Sequence, residues 1–216
     1  MLKSLARVCL VLRRMIGCVR RKLSSPQPQP LACAVVDHPS SMPLGWNDIS
    51  QLISGQRFYI ALHEAGHIAI TYSLGQSVEF VEILEGGGAR SRVNRISDQA
   101  IGQQIACGGY AVELLLYKAG KIVHPSGVAV NEKEFIDLGM NNADKDKVAY
   151  FGQRYSDTAG MWPTGHDRTF MARGDAVSKL ITPYISRMIR LAQALDRDGR
   201  LERDQIGALM AEDGGK

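Results

Sequence analysis

Residues 56–75 read QRFYIALHEAGHIAITYSLG, and the run His63-Glu64-Ala65-Gly66-His67 at their centre decides what the rest of the chain has to build. The two histidines are four apart. On an α-helix of 3.6 residues per turn they stack on one face, where their ring nitrogens converge on one metal ion. Glu64, beside the first histidine, reaches a water bound to that ion. Phe58, Leu62, Ala65, Ile68, Ala69 and Tyr72 supply apolar surface for burial, and Gly75 falls where a helix-ending glycine is expected. A helix from about Gln56 to Leu74 is therefore predicted.

A helix-borne HExxH is the arrangement of zinc metallopeptidases, with the histidines as ligands and the glutamate as general base. His63, His67 and Glu64 are the candidates, with Zn2+ as cofactor. After the helix, Val78 to Leu84 is β-branched, aromatic and partly alternating, which predicts a strand ended by Gly86-Gly87-Gly88. An extended peptide can add itself to an exposed strand edge, and this strand is the expected place. Arg90, Arg92 and Arg95 read as a solvated loop, since no phosphate-binding glycine pattern accompanies them.

Further along, Ser97 caps a predicted long helix to about Lys118, interrupted in composition by Gly108-Gly109. Glycine inside a helix costs ~1 kcal/mol relative to alanine, so close approach of another helix is the expected reason. A short helical turn is expected over Asp48–Ile53, and a long connection over Lys121–Met140 with a helical piece at Glu132–Ile136. A helix begins near Asn142, and a second loop spans Arg154–His166. A helical stretch from Asp167 to Leu195 is divided or kinked by Pro183. A turn at Asp196–Gly199 and a last helix over Leu201–Met210 complete the chain. The fold class is mainly α with a small β-element.

The chain has 216 residues and a net charge of +4. That excess comes from Lys3, Arg7, Arg13, Arg14, Arg20, Arg21 and Lys22, in a segment 1–36 that holds no acid; the rest is mildly acidic. This argues against a nucleic-acid groove. The segment, with its Pro-rich linker Ser24–Pro30, separates from a domain over 40–216. It fits a transit peptide, a membrane-surface helix or a dispensable extension. No apolar run approaches the roughly 20 residues needed to span a bilayer. Cys9, Cys18, Cys33 and Cys107 form no CxxC pair and read as reduced thiols. The expected location is cytoplasmic, with organelle targeting or peripheral membrane contact through the tail as alternatives.

Four stretches together resemble the peptidase domain of the FtsH-type zinc metallopeptidases. They are His63-Glu64-Ala65-Gly66-His67, the strand with its glycine run, Ala106-Cys107-Gly108-Gly109-Tyr110-Ala111-Val112-Glu113, and the C-terminal Ile189–Leu195, Gly199-Arg200-Leu201 and Ile206. The resemblance covers roughly Gln56 to Met210. It implies an FtsH-peptidase-like helical metalloprotease fold and an aspartate from a later helix as third zinc ligand. Asp144 is preferred and Asp146 is the alternative.

No GxxxxGK[ST] occurs in the sequence, so the expectation is a stand-alone, ATP-independent endopeptidase acting on peptides or loosely folded proteins. Homo-oligomers or a separate ATPase partner are open possibilities. The alternative is a non-catalytic protein of the same fold that binds a partner, tethered by its basic tail. Glu113 is expected to orient a ligand histidine or to satisfy a buried helix contact. His124 and His166 read as surface histidines, and Tyr110 and Tyr150 as packing residues.

Overall fold

The computed structural model describes residues 44–152 and 163–211. The tail over 1–36, its linker, three of the four cysteines and most of the expected Arg154–His166 loop lie outside the described residues. The fold is mainly α. Helix α1, Arg57–Ser73, carries the HEAGH run through the middle of the core. It is buried on nearly every side, from Phe58 and Leu62 to Ile68, Ile70 and Thr71, as befits a central helix. It ends as its glycine predicts. Gly75 takes φ of 69°, its N–H bonds the Tyr72 carbonyl at 3.0 Å, and the Gln76 N–H bonds the Thr71 carbonyl at 3.0 Å. That is a Schellman ending, which needs a left-handed residue.

Around α1 pack α2 (Gln99–Ala106), α3 (Gly108–Lys118), α6 (Gly165–Ile181) and α7 (Ile185–Asp198). The expected single helix from Ser97 to Lys118 is two helices. Asp98, not Ser97, caps α2, its carboxylate accepting from the Ala100 and Ile101 N–H groups. The chain then breaks at Cys107, so that α3 can run against α1 with its two glycines at the crossing. A Cβ on Gly66 would sit 2.3 Å from the Gly108 carbonyl oxygen, and one on Gly108 would sit 2.6 Å from the His67 Cα. One on Gly109 would sit 2.1 Å from the His63 Nε2. Backbone touches backbone at this crossing, and only glycine fits.

Two small sheets complete the fold. In one, β1 (Leu52–Ile53) pairs in parallel with β4 (Ile122–Val123). These short strands replace the helical turn expected over Asp48–Ile53, of which a 3-10 turn at Trp46–Asp48 remains, and interrupt the expected loop after Lys121. In the other, β2 (Val78–Ile83) lies between β3 (Ala89–Val93) and β5 (Arg200–Glu202), both antiparallel to it. The predicted strand is therefore present, and its neighbours are the segment expected as a loop at Arg90–Arg92 and the expected start of the last helix at Leu201. Arg90 and Arg92 belong to β3, where charged side chains alternate with half-buried Ala89, Ser91 and Val93. Their partners are across the ladder, Arg90 on Glu82 and Arg92 on Glu79. Alternating charge of this kind is what an edge strand uses to stay soluble, and it resembles a loop in composition.

Helix α4 (Glu132–Asn142) is longer than the piece expected at Glu132–Ile136, and α5 (Asp144–Phe151) follows it almost at once. Pro183 divides the long C-terminal stretch as expected, with a 3-10 turn at Thr182–Tyr184 between α6 and α7. Gly199, at φ of 76°, ends α7, and α8 (Arg203–Met210) closes the core with Ile206 and Met210. No helix among the described residues is long and apolar enough to cross a membrane.

The crossing yields a prediction of opposite signs. Gly66→Ala should destabilise the protein by at least about 2 kcal/mol through overpacking against α3. Gly102→Ala, in α2 with nothing within 4 Å of its added methyl, should stabilise by about 0.5–1 kcal/mol. Urea unfolding of the two variants measures both.

Candidate metal centre

Both histidines of α1 are oriented by partners on the neighbouring helices. His63 Nδ1 donates to Glu113 Oε1 of α3 at 2.8 Å. His67 Nδ1 donates to the Ile105 carbonyl of α2 at 2.7 Å. A carbonyl only accepts, so the proton of neutral His67 sits on Nδ1 and Nε2 keeps a free lone pair. The carboxylate does the same for His63. The two Nε2 atoms face each other at 3.2 Å, and Asp146 Oδ2 lies 3.2 Å from His63 Nε2 and 3.4 Å from His67 Nε2.

Three such acceptors repel one another unless a cation sits among them. Ligand atoms about 2.0–2.1 Å from a tetrahedral zinc ion are about 3.3–3.4 Å apart, which is the separation found here. Nitrogen from two imidazoles and one carboxylate oxygen is a donor set that zinc accepts, and three protein ligands leave a fourth position for water or substrate.

Asp146, not the preferred Asp144, completes the cluster. The Asp144 side chain is 68% exposed and pairs with Lys147 at 3.1 Å. The reason is the rotation of α5. Lys147 and Tyr150 are its buried positions, Ala143 just before it is buried too, and Asp146 is one turn from Ala143 and one from Tyr150 on that same side. A stripe at spacing i, i+4, i+7 was available in the sequence, but a lysine occupies its middle while Val148 is 47% exposed. The resemblance that preferred Asp144 carries no information on which face of α5 is buried.

Glu64 lies beside the cluster, 7% exposed, and its Oε2 is buried without a hydrogen-bond partner among the described residues. The Glu113 Oε2 is in the same condition among the described residues; what sets Glu64 apart is that it lines both clefts beside the cluster. Glu113 is likewise buried. Its Oε1 also accepts from the Asn142 Nδ2 at 3.2 Å, and that amide lies 3.4 Å from both the Tyr59 hydroxyl and the Ser54 Oγ. Burial, then the Glu113 charge and hydrogen bond, push the Tyr59 phenol well above its ordinary value, so it stays a neutral donor. Tyr59, Asn142 and the Ile105 carbonyl were not singled out in the sequence, because nothing local marks a residue that supports a distant histidine.

The remaining candidates fall elsewhere. His124 pairs with Glu134 at 3.1 Å, and His166 stacks edge-on against Phe151, with ring centroids 4.7 Å apart. Neither joins the cluster. Tyr110 packs between Phe135 and Phe170 and presses on Gly174. Tyr150 packs against Phe151 and Phe170. Cys107 is fully buried, and burial pushes its thiol up to about 12, as suits an inert core residue.

Two clefts open onto the cluster. One of about 630 Å³ passes Glu64, His67 and Asp146 and is bordered by β3 and by Gln103, Ile105 and Tyr150. The other, about 350 Å³, lies by His63, Tyr59 and Asn142. Glu64, Ala89, Lys145 and Asp146 line both. The strand beside the clefts is β3. The expected substrate strand, β2, is the centre of its sheet and has both edges paired, whereas the second edge of β3 has no strand partner among the described residues.

No protein-family model matches the chain, and no curated protein matches it. The site therefore stands on its own geometry. In spacing and in donor set, the His63–His67–Asp146 cluster is an HExxH-type zinc site and makes a zinc metalloendopeptidase active site.

In the metal-free protein, protons compete for the cluster. Burial alone would depress the His63 imidazole, but its hydrogen bonds to Asp146 and Glu113 outweigh it and leave the pKa well above 6.5. His67 is raised too, with burial outweighed by the Asp146 charge. Burial would raise the Asp146 carboxyl, but the two imidazoles hold it well below the usual range. Metal binding needs both imidazoles neutral. Zinc affinity should therefore rise with pH through and above 6.5, with protons released on binding, as calorimetry in buffers of different ionisation heat would show. Glu113→Ala should weaken zinc binding about 10- to 100-fold by freeing the His63 ring, measured by competition with a chelator.

Proposed function

We propose that this protein is a zinc-dependent endopeptidase of the FtsH-peptidase type, cleaving peptides or loosely folded proteins without ATP hydrolysis of its own. The observation that carries this reading is Glu64, a buried carboxylate that lines both clefts beside a three-ligand cluster, where β3 has a free strand edge. A metal site that served structure alone would need neither the carboxylate nor the edge.

Zinc bound by His63, His67 and Asp146 would supply a Lewis acid and bring the pKa of a bound water toward neutrality. The chain's own groups do the rest. Glu64 takes the proton of the attacking water and passes it to the departing amine. Glu113 and the Ile105 carbonyl hold the two imidazoles in the tautomer that presents Nε2. The open edge of β3 offers N–H and C=O groups to an extended substrate, which adds itself as a further strand. Only a chain that can become extended fits such an edge, and this supports unstructured segments as substrates.

The FtsH-type reading is supported by the Ala-Gly centre of the motif, by the Gly-Gly helix whose glutamate holds His63, and by a third carboxylate from a later helix. No P-loop occurs in these residues, so a substrate that needs unfolding would depend on an ATPase module outside them. Assembly into a homo-oligomer belongs to the same proposal.

Glu64→Gln should bind zinc as wild type does and lose at least about 100-fold in hydrolysis of a fluorescently labelled unstructured protein. Asp146→Asn should lose both zinc and activity, while Asp144→Asn should keep both. Undiminished hydrolysis by Glu64→Gln would overturn the mechanism.

A further inference from the structure

Lys147 is 1% exposed and sits on the residue next to the third carboxylate of the cluster. Its ammonium lies 3.1 Å from Asp167 Oδ1, and Asp167 is 0% exposed. The other oxygen of Asp167 is already engaged at the start of α6, where it accepts from the Thr164 N–H at 3.0 Å and from the Thr164 hydroxyl at 2.6 Å. One carboxylate thus caps α6 with one oxygen and holds α5 with the other. Helix α6 is in turn locked to α3, because Tyr110 fills the space where a Cβ on Gly174 would stand. Helix α3 carries Glu113, which holds His63. The ion pair therefore ties α5 to the same frame that orients the histidines.

Helix α5 is held by packing of Tyr150 against Phe151 and Phe170 as well. It is eight residues long, and Lys147 and Tyr150 are its buried residues. A further tie is the Gln103 amide donating to the Tyr150 carbonyl at 3.2 Å. Apolar burial is non-directional and would tolerate a turned helix. A buried ion pair is directional: the ammonium also meets Asp144 at 3.1 Å within α5, but a turned helix would leave the Asp167 charge without it in the core. Rotation matters here, since residues are 100° apart around a helix and Asp144 and Asp146 point to nearly opposite sides.

We infer that the buried Lys147–Asp167 pair is a positioning device for the metal site, setting the rotation of α5 so that Asp146 and not Asp144 meets His63 and His67. This rests on the zinc reading above. Lys147 and Asp167 touch no substrate and act through Asp146.

The test compares zinc affinity, the visible absorption spectrum of the cobalt(II)-substituted protein and thermal unfolding for wild type and Lys147→Met/Asp167→Asn. The double variant removes both charges together and leaves no unpaired ion in the core. It is expected to unfold near the wild-type temperature, to bind zinc about 10- to 100-fold more weakly, and to show altered cobalt bands as the third ligand moves. Unchanged affinity and spectrum in the folded double variant overturn the inference. So does loss of metal binding in Asp144→Asn, which would make Asp144 the ligand. Should the double variant not fold, Asp167→Glu keeps both charges but lengthens one arm by a methylene; the same weakening and spectral change are expected, and their absence overturns the inference. Wild-type protein that binds neither ion refutes the zinc reading itself, a result distinct from all of these.

Discussion

The backbone contact between α1 and α3 at Gly66 and Gly108 is the constraint from which the site follows. With any larger residue at the crossing, the helices would stand further apart, and the Glu113 carboxylate would no longer reach His63 Nδ1 at 2.8 Å. The break at Cys107 serves the same end. It lets α2 end where the Ile105 carbonyl meets His67, and lets α3 set off again with its glycines against α1. Three glycines and one interrupted helix thus fix two imidazoles at once. Their conformational cost as helix-interior glycines is the cost of that close packing.

Around this crossing the protein buries several charged side chains. Glu64, Glu113, Lys147 and Asp167 are all buried, and Asp146 is nearly so. Isolated, each would be expensive, and together they form two linked systems. One is the cluster of histidines and carboxylates, which is satisfied by protons or by a metal ion. The other is the Lys147–Asp167 pair, which is satisfied internally. Apolar packing alone would build an equally stable bundle, so the placement of these charges points to chemistry and to precise orientation rather than to stability.

The sheet contributes access. Its inner face, with Val78, Val81 and Leu201, closes the core. Its outer face is a ladder in which Arg200 bonds Glu82 and Glu202 and lies over the Phe80 ring. That ladder keeps the far side of the sheet solvated, while β3 is left as the edge strand beside the clefts.

Much of this was legible in the residues. The HEAGH helix, its glycine stop, the strand after it, the glycine pair as a close approach and the division at Pro183 all rest on local rules: period, φ of glycine, and the missing N–H of proline. Glu113 was visible as a buried helix acid one turn beyond the glycine pair. What local rules do not contain is the rotation of a short helix whose buried stripe holds a lysine, or the pairing of a strand whose charges imitate a loop. Asp144 and Asp146 are equivalent as sequence, both acids in the first turn of a helix. The choice between them, and the choice of β3 over β2 as the open edge, is made by contacts between segments far apart in the chain. The sequence alone determined which chemistry this protein carries, because ligand spacing on a helix is a property of the helix. Tertiary structure decided which carboxylate completes the cluster and which strand edge stays open beside the clefts, because those depend on which segments and charges can be buried together.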